Sequence, residues 1–264
     1  MIANIPYFGL GTYKLNKDTA YTIVKSAIKL GYRHFDTATV YRNEEAVGRA
    51  IKDSDVKRNE IFLCTKIWID KIKDGEVGIM KSVNDSLKKL GMEYVDLVLL
   101  HAPVKDHIVD SWRILEKLYT TELKDKVRFI GVSNYEICHL EQLKECKITP
   151  YVNQIEITPF LKREKLVKYC NENNIRIVAH SSLTQGIKLN DPVLIKIAEK
   201  YTVTVATLLI KWALTKGYTV LPRTSNIEHL EENLNTITKT IEKNALDELD
   251  NINETFIVMP KYII

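Results

Sequence analysis

The feature that most constrains this chain is a regular alternation of short apolar runs with longer stretches of helical periodicity. The runs are Phe8–Gly11, His34–Thr37, Ile61–Ile67, Val95–His101, Phe129–Val132, Tyr151–Ile155, Arg176–His180 and Tyr218–Leu221. Most are rich in Val, Ile and Leu without polar alternation, the pattern of strands buried on both faces. Between them Ala20, Ile23, Ala27 and Leu30, and again Val77, Met80, Val83, Leu87 and Leu90, recur at helical spacing and predict helices with one buried stripe. Gly31 and Gly91 stand where a helix ends in a left-handed residue, and Asp191-Pro192 reads as an N-cap followed by a first-turn proline.

Repeated strand–helix units imply a parallel sheet with helices outside it. An open dinucleotide-binding sheet would place GxGxxG after its first strand. Gly9-Leu10-Gly11 has no third glycine and opens no helix. The expectation is therefore a closed (β/α)8 TIM barrel. Its 264 residues form a single domain spanning 1–264, since such barrels run to about 250 residues as one unit. No linker or low-complexity tract interrupts it.

Composition narrows the function. The net charge of +4 comes from 38 basic and 34 acidic residues that are scattered rather than clustered, which argues against a nucleic-acid partner. Cys64, Cys138, Cys146 and Cys170 form no CxxC pair and no zinc spacing, so no metal is expected and the cysteines read as reduced intracellular thiols. No signal peptide and no membrane-length apolar run is seen. A cytoplasmic protein with no membrane partner is expected, with a monomer favoured.

In a barrel of this kind the chemistry sits at the C-terminal ends of the strands. There the sequence places Asp36, Lys66, His101, Ser133-Asn134, Asn153-Gln154, His180-Ser181-Ser182 and Arg223-Thr224, with Tyr41 five residues beyond Asp36. Four of these make a carbonyl-reducing set. A hydride adds to a carbonyl carbon only if the oxygen gains a proton, and a tyrosine can donate one, though a pKa near 10 makes it a reluctant acid. An ammonium ~4 Å away offers on the order of 4 kcal/mol toward the phenolate, so Lys66 is expected to make Tyr41 more acidic. Asp36 would hold Lys66, and His101 would hydrogen-bond the substrate oxygen.

Asp36-Thr37-Ala38 with Tyr41, Asn43-Glu44 and Val47-Gly48 resembles an aldo-keto reductase signature. So do Gly9-Leu10-Gly11-Thr12, Thr65-Lys66-Ile67-Trp68, Gly131-Val132-Ser133-Asn134 and Asn153-Gln154-Ile155-Glu156. The ordered motifs run from about residue 5 to about residue 252. Within the family the chain resembles most the bacterial 2,5-diketo-D-gluconate reductase B type, which also reduces methylglyoxal. The resemblance implies a barrel with a short N-terminal β-hairpin and a catalytic tetrad of Asp36, Tyr41, Lys66 and His101, with Tyr41 as proton donor. It further implies direct hydride transfer from NADPH to a small-molecule carbonyl substrate, giving an alcohol.

The implied cofactor contacts are Ser133, Asn134 and Gln154 on the carboxamide, with Asp36, Gly11 and Thr12 nearby. Ser181, Leu183, Gln185 and Gly186 would follow the pyrophosphate, and His180 would stack on the nicotinamide in place of a tyrosine. Pro222, Arg223 and Thr224 would meet the 2′-phosphate, as would His229, which replaces an arginine. Glu232 and Asn233 would meet the adenine. Tyr13, Tyr41, Trp68, His101 and Ala102 would line the substrate pocket, with Ala102 widening it where a tryptophan is common. The same scaffold also serves as a non-catalytic ligand-binding subunit; the intact tetrad favours an enzyme, and an unrelated barrel enzyme using Lys66 as a Schiff base leaves Tyr41 unexplained. Thr255–Ile264 either closes over the pocket or packs on the barrel.

Overall fold

The computed structural model describes residues 4–259. Eight strands follow one another in parallel: β1 Leu10–Gly11, β2 His34–Asp36, β3 Phe62–Ile67, β4 Val95–Leu100, β5 Val127–Ser133, β6 Val152–Glu156, β7 Arg176–His180 and β8 Thr219–Val220. Each pairs with the next. The sheet then returns on itself: Val220 bridges Phe8 in parallel, and the Gly9 N–H donates to the Val220 carbonyl at 3.0 Å. The barrel expected from the alternation is formed.

The connecting helices are α1 Lys17–Leu30, α2 Glu44–Lys52, α3 Ile69–Lys73, α4 Gly75–Leu90, α5 Ile108–Thr120, α6 Ile137–Glu141, α7 Glu164–Glu172, α8 Pro192–Lys200 and α9 Val205–Thr215. Two more, α10 Ile227–Asn235 and α11 Lys243–Asp250, follow β8. Helix ends obey the local chemistry. Gly31 and Gly91 are left-handed C-caps with φ of 108° and 61°, and the Asp191 side chain accepts from the Val193 N–H ahead of Pro192. Trp112 and Trp212 are core residues, as their helical setting suggests.

Two expectations are corrected. Val77 is 79% exposed and Met80 only half-buried, whereas Val83, Leu87 and Leu90 are buried as expected, joined by Ile79. Only the first turn departs from the stripe: there α4 turns Gly78 inward, with the Lys71 carbonyl 2.4 Å from where a Cβ would stand. The described residues also form no N-terminal hairpin. Phe8–Gly11 has parallel partners on both sides, β8 and β2, which leaves no free edge for an antiparallel strand. Residues 1–3 of the expected hairpin lie outside the described residues.

Side chains alternate along each strand, and that alternation places the polar set. Phe62 and Cys64 of β3, Leu97 and Leu99 of β4, Val152 of β6 and Val178 of β7 fill the barrel interior together with Ile5 and Leu221. Continuing each row by two residues reaches Lys66, His101, Gln154 and His180. The apolar layers thus end in a polar layer at the C-terminal mouth.

Near the floor, His34 is buried with its ring 5.0 Å from Phe62. Burial, with Lys66 adding to it, pushes His34 down to about 4 against the pull of Asp36 and the Pro6 backbone. The unfolded chain therefore binds the proton first as pH falls. The stability held by neutral His34 is complete above about pH 6.5 and drains away toward pH 4. Between pH 7 and 5 a His34→Phe variant should lose about 2 kcal/mol less stability than the wild type. Urea unfolding at the two pH values measures it; equal losses would remove His34 as the source.

Candidate active site

Asp36 is the last residue of β2, Lys66 the penultimate residue of β3, and His101 the first residue after β4. Tyr41 ends a single 3-10 turn, Thr39–Tyr41, in the β2–α2 loop; Arg42 behind it is left-handed with φ 59°. The Thr39 hydroxyl donates to the Lys66 carbonyl at 3.1 Å, which ties this turn to β3.

The centre of the cluster is the Lys66 ammonium, whose side chain is 0% exposed. It donates to Asp36 Oδ1 at 2.5 Å, to the Thr37 carbonyl at 2.8 Å and to the Tyr41 hydroxyl at 3.3 Å. An ammonium has three hydrogens, and here three acceptors meet it. Asp36 is held from its other side, where Oδ2 accepts from Gln154 Nε2 at 2.8 Å. The His101 ring stands edge-on to both Tyr41 and Trp68, at 5.7 and 5.0 Å between centroids. Tyr13 closes the other side of Tyr41 at 5.0 Å.

Electrostatics corrects the expectation for Tyr41. Burial pushes the phenol up to about 12, with Asp36 adding, and this outweighs the downward pull of the Lys66 ammonium. Lys66 itself is raised: burial disfavours its charge, but Asp36 and Tyr41 more than compensate. The pair at neutral pH is a charged ammonium beside a neutral phenol. His180 is pushed down to about 3 by burial and by Lys66, which leaves a neutral imidazole.

Tyr41 and His101 open onto a cavity of about 910 Å³. One part of its wall is Ser133, Asn134, Gln154 and His180. The Ser133 hydroxyl donates to the Gln154 carbonyl at 2.8 Å, and Asn134 donates to the His101 carbonyl at 2.9 Å. His180 Nε2 lies 2.9 Å from Asn134 Oδ1, and Nδ1 lies 3.1 Å from the Ser181 hydroxyl. Another part is Pro222, Arg223, Thr224, Ser225 and Asn226, leading into α10 with His229, Glu232 and Asn233.

The aldo/keto reductase family profile matches residues 7–254. The chain belongs to the aldo/keto reductase family. Glyoxal reductase of Bacillus subtilis is 41% identical over 253 residues, covering 95% of this chain and 90% of that protein. Methylglyoxal reductase DkgB of Salmonella typhi is 37% identical over 251 residues, 93% of each. The crystal structure of MGS-M4, an aldo-keto reductase from a Medee basin deep-sea metagenome library, superimposes with a TM-score of 0.87 at 37% identity, over 93% of this chain and 90% of that one.

Most of the expected site residues of this reductase line the one cavity, including Gly11, Tyr13, Trp68, Ser181, Leu183, Gln185 and Gly186. Two do not. Thr12 is fully buried, with its hydroxyl donating to the Asp36 carbonyl at 2.9 Å. Ala102 is 3% exposed and does not reach the wall, because the alternation that turns His101 inward turns its neighbour away. Asn153, whose Nδ2 donates to the Tyr135 carbonyl at 2.8 Å, caps a loop.

The sequence reading missed several wall residues. Lys14, left-handed with φ 61°, donates to Gln185 Oε1 at 2.9 Å, while its carbonyl accepts from Arg223 at 3.2 Å. Thr204, Val205 and Ala206 come from the start of α9, and Met259 from the tail. Glu156, at the end of β6, accepts from the Val258 and Met259 N–H groups at 2.6 and 2.8 Å and sets that tail over the barrel. Ser225 and Asn226 directly follow an expected phosphate contact and were reachable by extension; Met259 carries no local signal. Residues 260–264 of the tail lie outside the described residues. Among the described residues no helix is long and apolar enough to cross a membrane.

A neutral Tyr41 has a spectroscopic consequence. The difference in ultraviolet titration between the wild type and a Tyr41→Phe variant, without cofactor, should show no tyrosinate signal below about pH 10. A component titrating near neutrality would contradict the balance of burial over ammonium.

Proposed function

We propose that this reductase converts aldehydes and ketones to alcohols with NADPH, with Tyr41 as proton donor and Asp36, Lys66 and His101 completing the catalytic set. It acts as a cytoplasmic monomer, one barrel domain spanning the chain. The observation that carries the reading is the triply anchored Lys66 ammonium, 3.3 Å from a phenol that opens onto the cavity.

The donor set suits NADPH. Gln154 spends one amide hydrogen on Asp36, which leaves its carbonyl end and second hydrogen as the groups suited to a carboxamide, alongside the Ser133 hydroxyl and Asn134. Some way along the wall, Arg223 and Thr224 precede the N-terminus of α10, where backbone N–H groups and the helix dipole favour an anion. Arginine there suits a 2′-phosphate, which it can bind with two parallel hydrogen bonds. NADPH, when bound, supplies the hydride.

The chain's own residues do the rest. Tyr41, neutral at pH 7, gives its proton to the carbonyl oxygen as that oxygen becomes basic. The phenolate left behind is stabilised by Lys66, whose positive charge is already fixed by Asp36 and the Thr37 carbonyl, so little reorganisation is needed. His101 donates a hydrogen bond to the same substrate oxygen, and Trp68 and Tyr13 form the apolar wall beside it. Methylglyoxal and 2,5-diketo-D-gluconate are the substrate candidates, small polar carbonyls in keeping with the dicarbonyl reductases named among the relatives.

Absorbance of reduced nicotinamide should fall when the protein is mixed with NADPH and methylglyoxal; binding without turnover across a carbonyl panel would refute catalysis. In the same assay Arg223→Ala should raise KM for NADPH about tenfold or more and KM for NADH about twofold or less. Equal changes for the two would remove Arg223 from the phosphate.

A further inference from the structure

Asn43 is the N-cap of α2, yet its side chain makes no capping hydrogen bond. Asparagine is among the favoured residues at that position because its side-chain oxygen satisfies an open helix N–H. Here the amide is turned the other way and is completely buried. Nδ2 donates to the Thr12 carbonyl at 2.8 Å and to the Leu15 carbonyl at 3.0 Å, and Oδ1 accepts from the Thr37 hydroxyl at 2.9 Å. One side chain thus binds the β1–α1 loop to the β2–α2 loop, at the expense of its own helix.

Both arms of this amide end on residues that hold Lys66. The first runs through Thr37, whose hydroxyl is fixed by Asn43 while its carbonyl accepts from the Lys66 ammonium at 2.8 Å. The second runs through Thr12, whose carbonyl is fixed by Asn43 while its hydroxyl donates to the Asp36 carbonyl at 2.9 Å. Tyr41 lies two residues before Asn43 on the same loop, and Tyr13, held between Thr12 and Leu15, packs against the Tyr41 ring.

We infer that Asn43 is a positioning residue for proton transfer, setting the Lys66–Tyr41 geometry through Thr37 and Thr12. The inference rests on the reading of Tyr41 as proton donor. It gives Asn43, in the Asn43-Glu44 pair of the sequence signature, a role that neither helix capping nor cofactor contact explains.

The test compares Thr37→Val, Asn43→Ala and Tyr41→Phe, alone and combined, in the NADPH and methylglyoxal assay, with rates counted per NADPH-binding site by fluorescence titration. Thr37→Val removes only the hydroxyl link and should lower kcat about tenfold or more while leaving KM for NADPH within about twofold. Asn43→Ala should lower kcat at least as much and also raise KM for NADPH, because it releases the loop bearing Tyr13 and Lys14. Neither change should reduce turnover further in the Tyr41→Phe background, since both act through that phenol. Wild-type kcat in Thr37→Val, or losses that multiply with Tyr41→Phe, would overturn the inference. If Asn43→Ala does not fold, Thr37→Val alone decides. Full turnover by Tyr41→Phe itself would instead remove the proton donor on which the inference stands.

Discussion

A lysine ammonium sealed from water inside a barrel is the constraint around which the rest of this site is arranged. Removing such a charge from water costs several kcal/mol even after the protein relaxes, so it persists only where every hydrogen has an acceptor. Lys66 has Asp36, Thr37 and Tyr41. Asp36 in turn is held by Gln154 from the opposite side of the barrel, so that β2, β3 and β6 meet in one network. Burial keeps the phenol neutral, and the ammonium beside it is the group ready to receive the charge when the proton leaves. The proton donor is in this way set by the balance of desolvation against one fixed cation.

The barrel supplies this arrangement through simple periodicity. Interior rows of apolar residues along β3, β4, β6 and β7 close the floor and middle, and the next inward position of each row is polar. Parallel strands bring those positions to one mouth. Gly131 belongs to the same logic: a Cβ there would stand 2.9 Å from Leu99 Cδ2 and 2.8 Å from the Val152 carbonyl, so only glycine lets β4, β5 and β6 curl this tightly. The loops then finish the wall, with the residue 12–15 segment, the start of α9 and the tail at Met259 all facing the cavity or the residues behind it.

Much of this was legible in the chain alone, for physical reasons. Strands buried on both faces announce themselves as unbroken apolar runs, and the residues ending them are fixed by strand position. Asp36, Lys66, His101 and Gln154 were therefore readable without coordinates. What was not legible depends on three-dimensional burial or on loop paths. Val77 fits a helical stripe by spacing but lies exposed in the first turn of α4. Thr12 and Ala102 sit one residue from cavity positions and face the other way. The acidity of Tyr41 was judged from its charged neighbour, whereas the larger effect is desolvation, which no sequence pattern reports. Met259 is set at the site by contacts far away in sequence, above all the Glu156 carboxylate about a hundred residues earlier, which accepts from the Val258 and Met259 N–H groups.

The most direct test is a single turnover with Lys66→Met, a side chain of similar length without charge, at saturating NADPH and methylglyoxal. A stabilising role for the ammonium predicts a fall in the hydride-transfer rate of about a hundredfold or more with the NADPH dissociation constant nearly unchanged. A rate within about threefold of the wild type would show that the phenol gives up its proton without the ammonium, and the account of this site would be wrong.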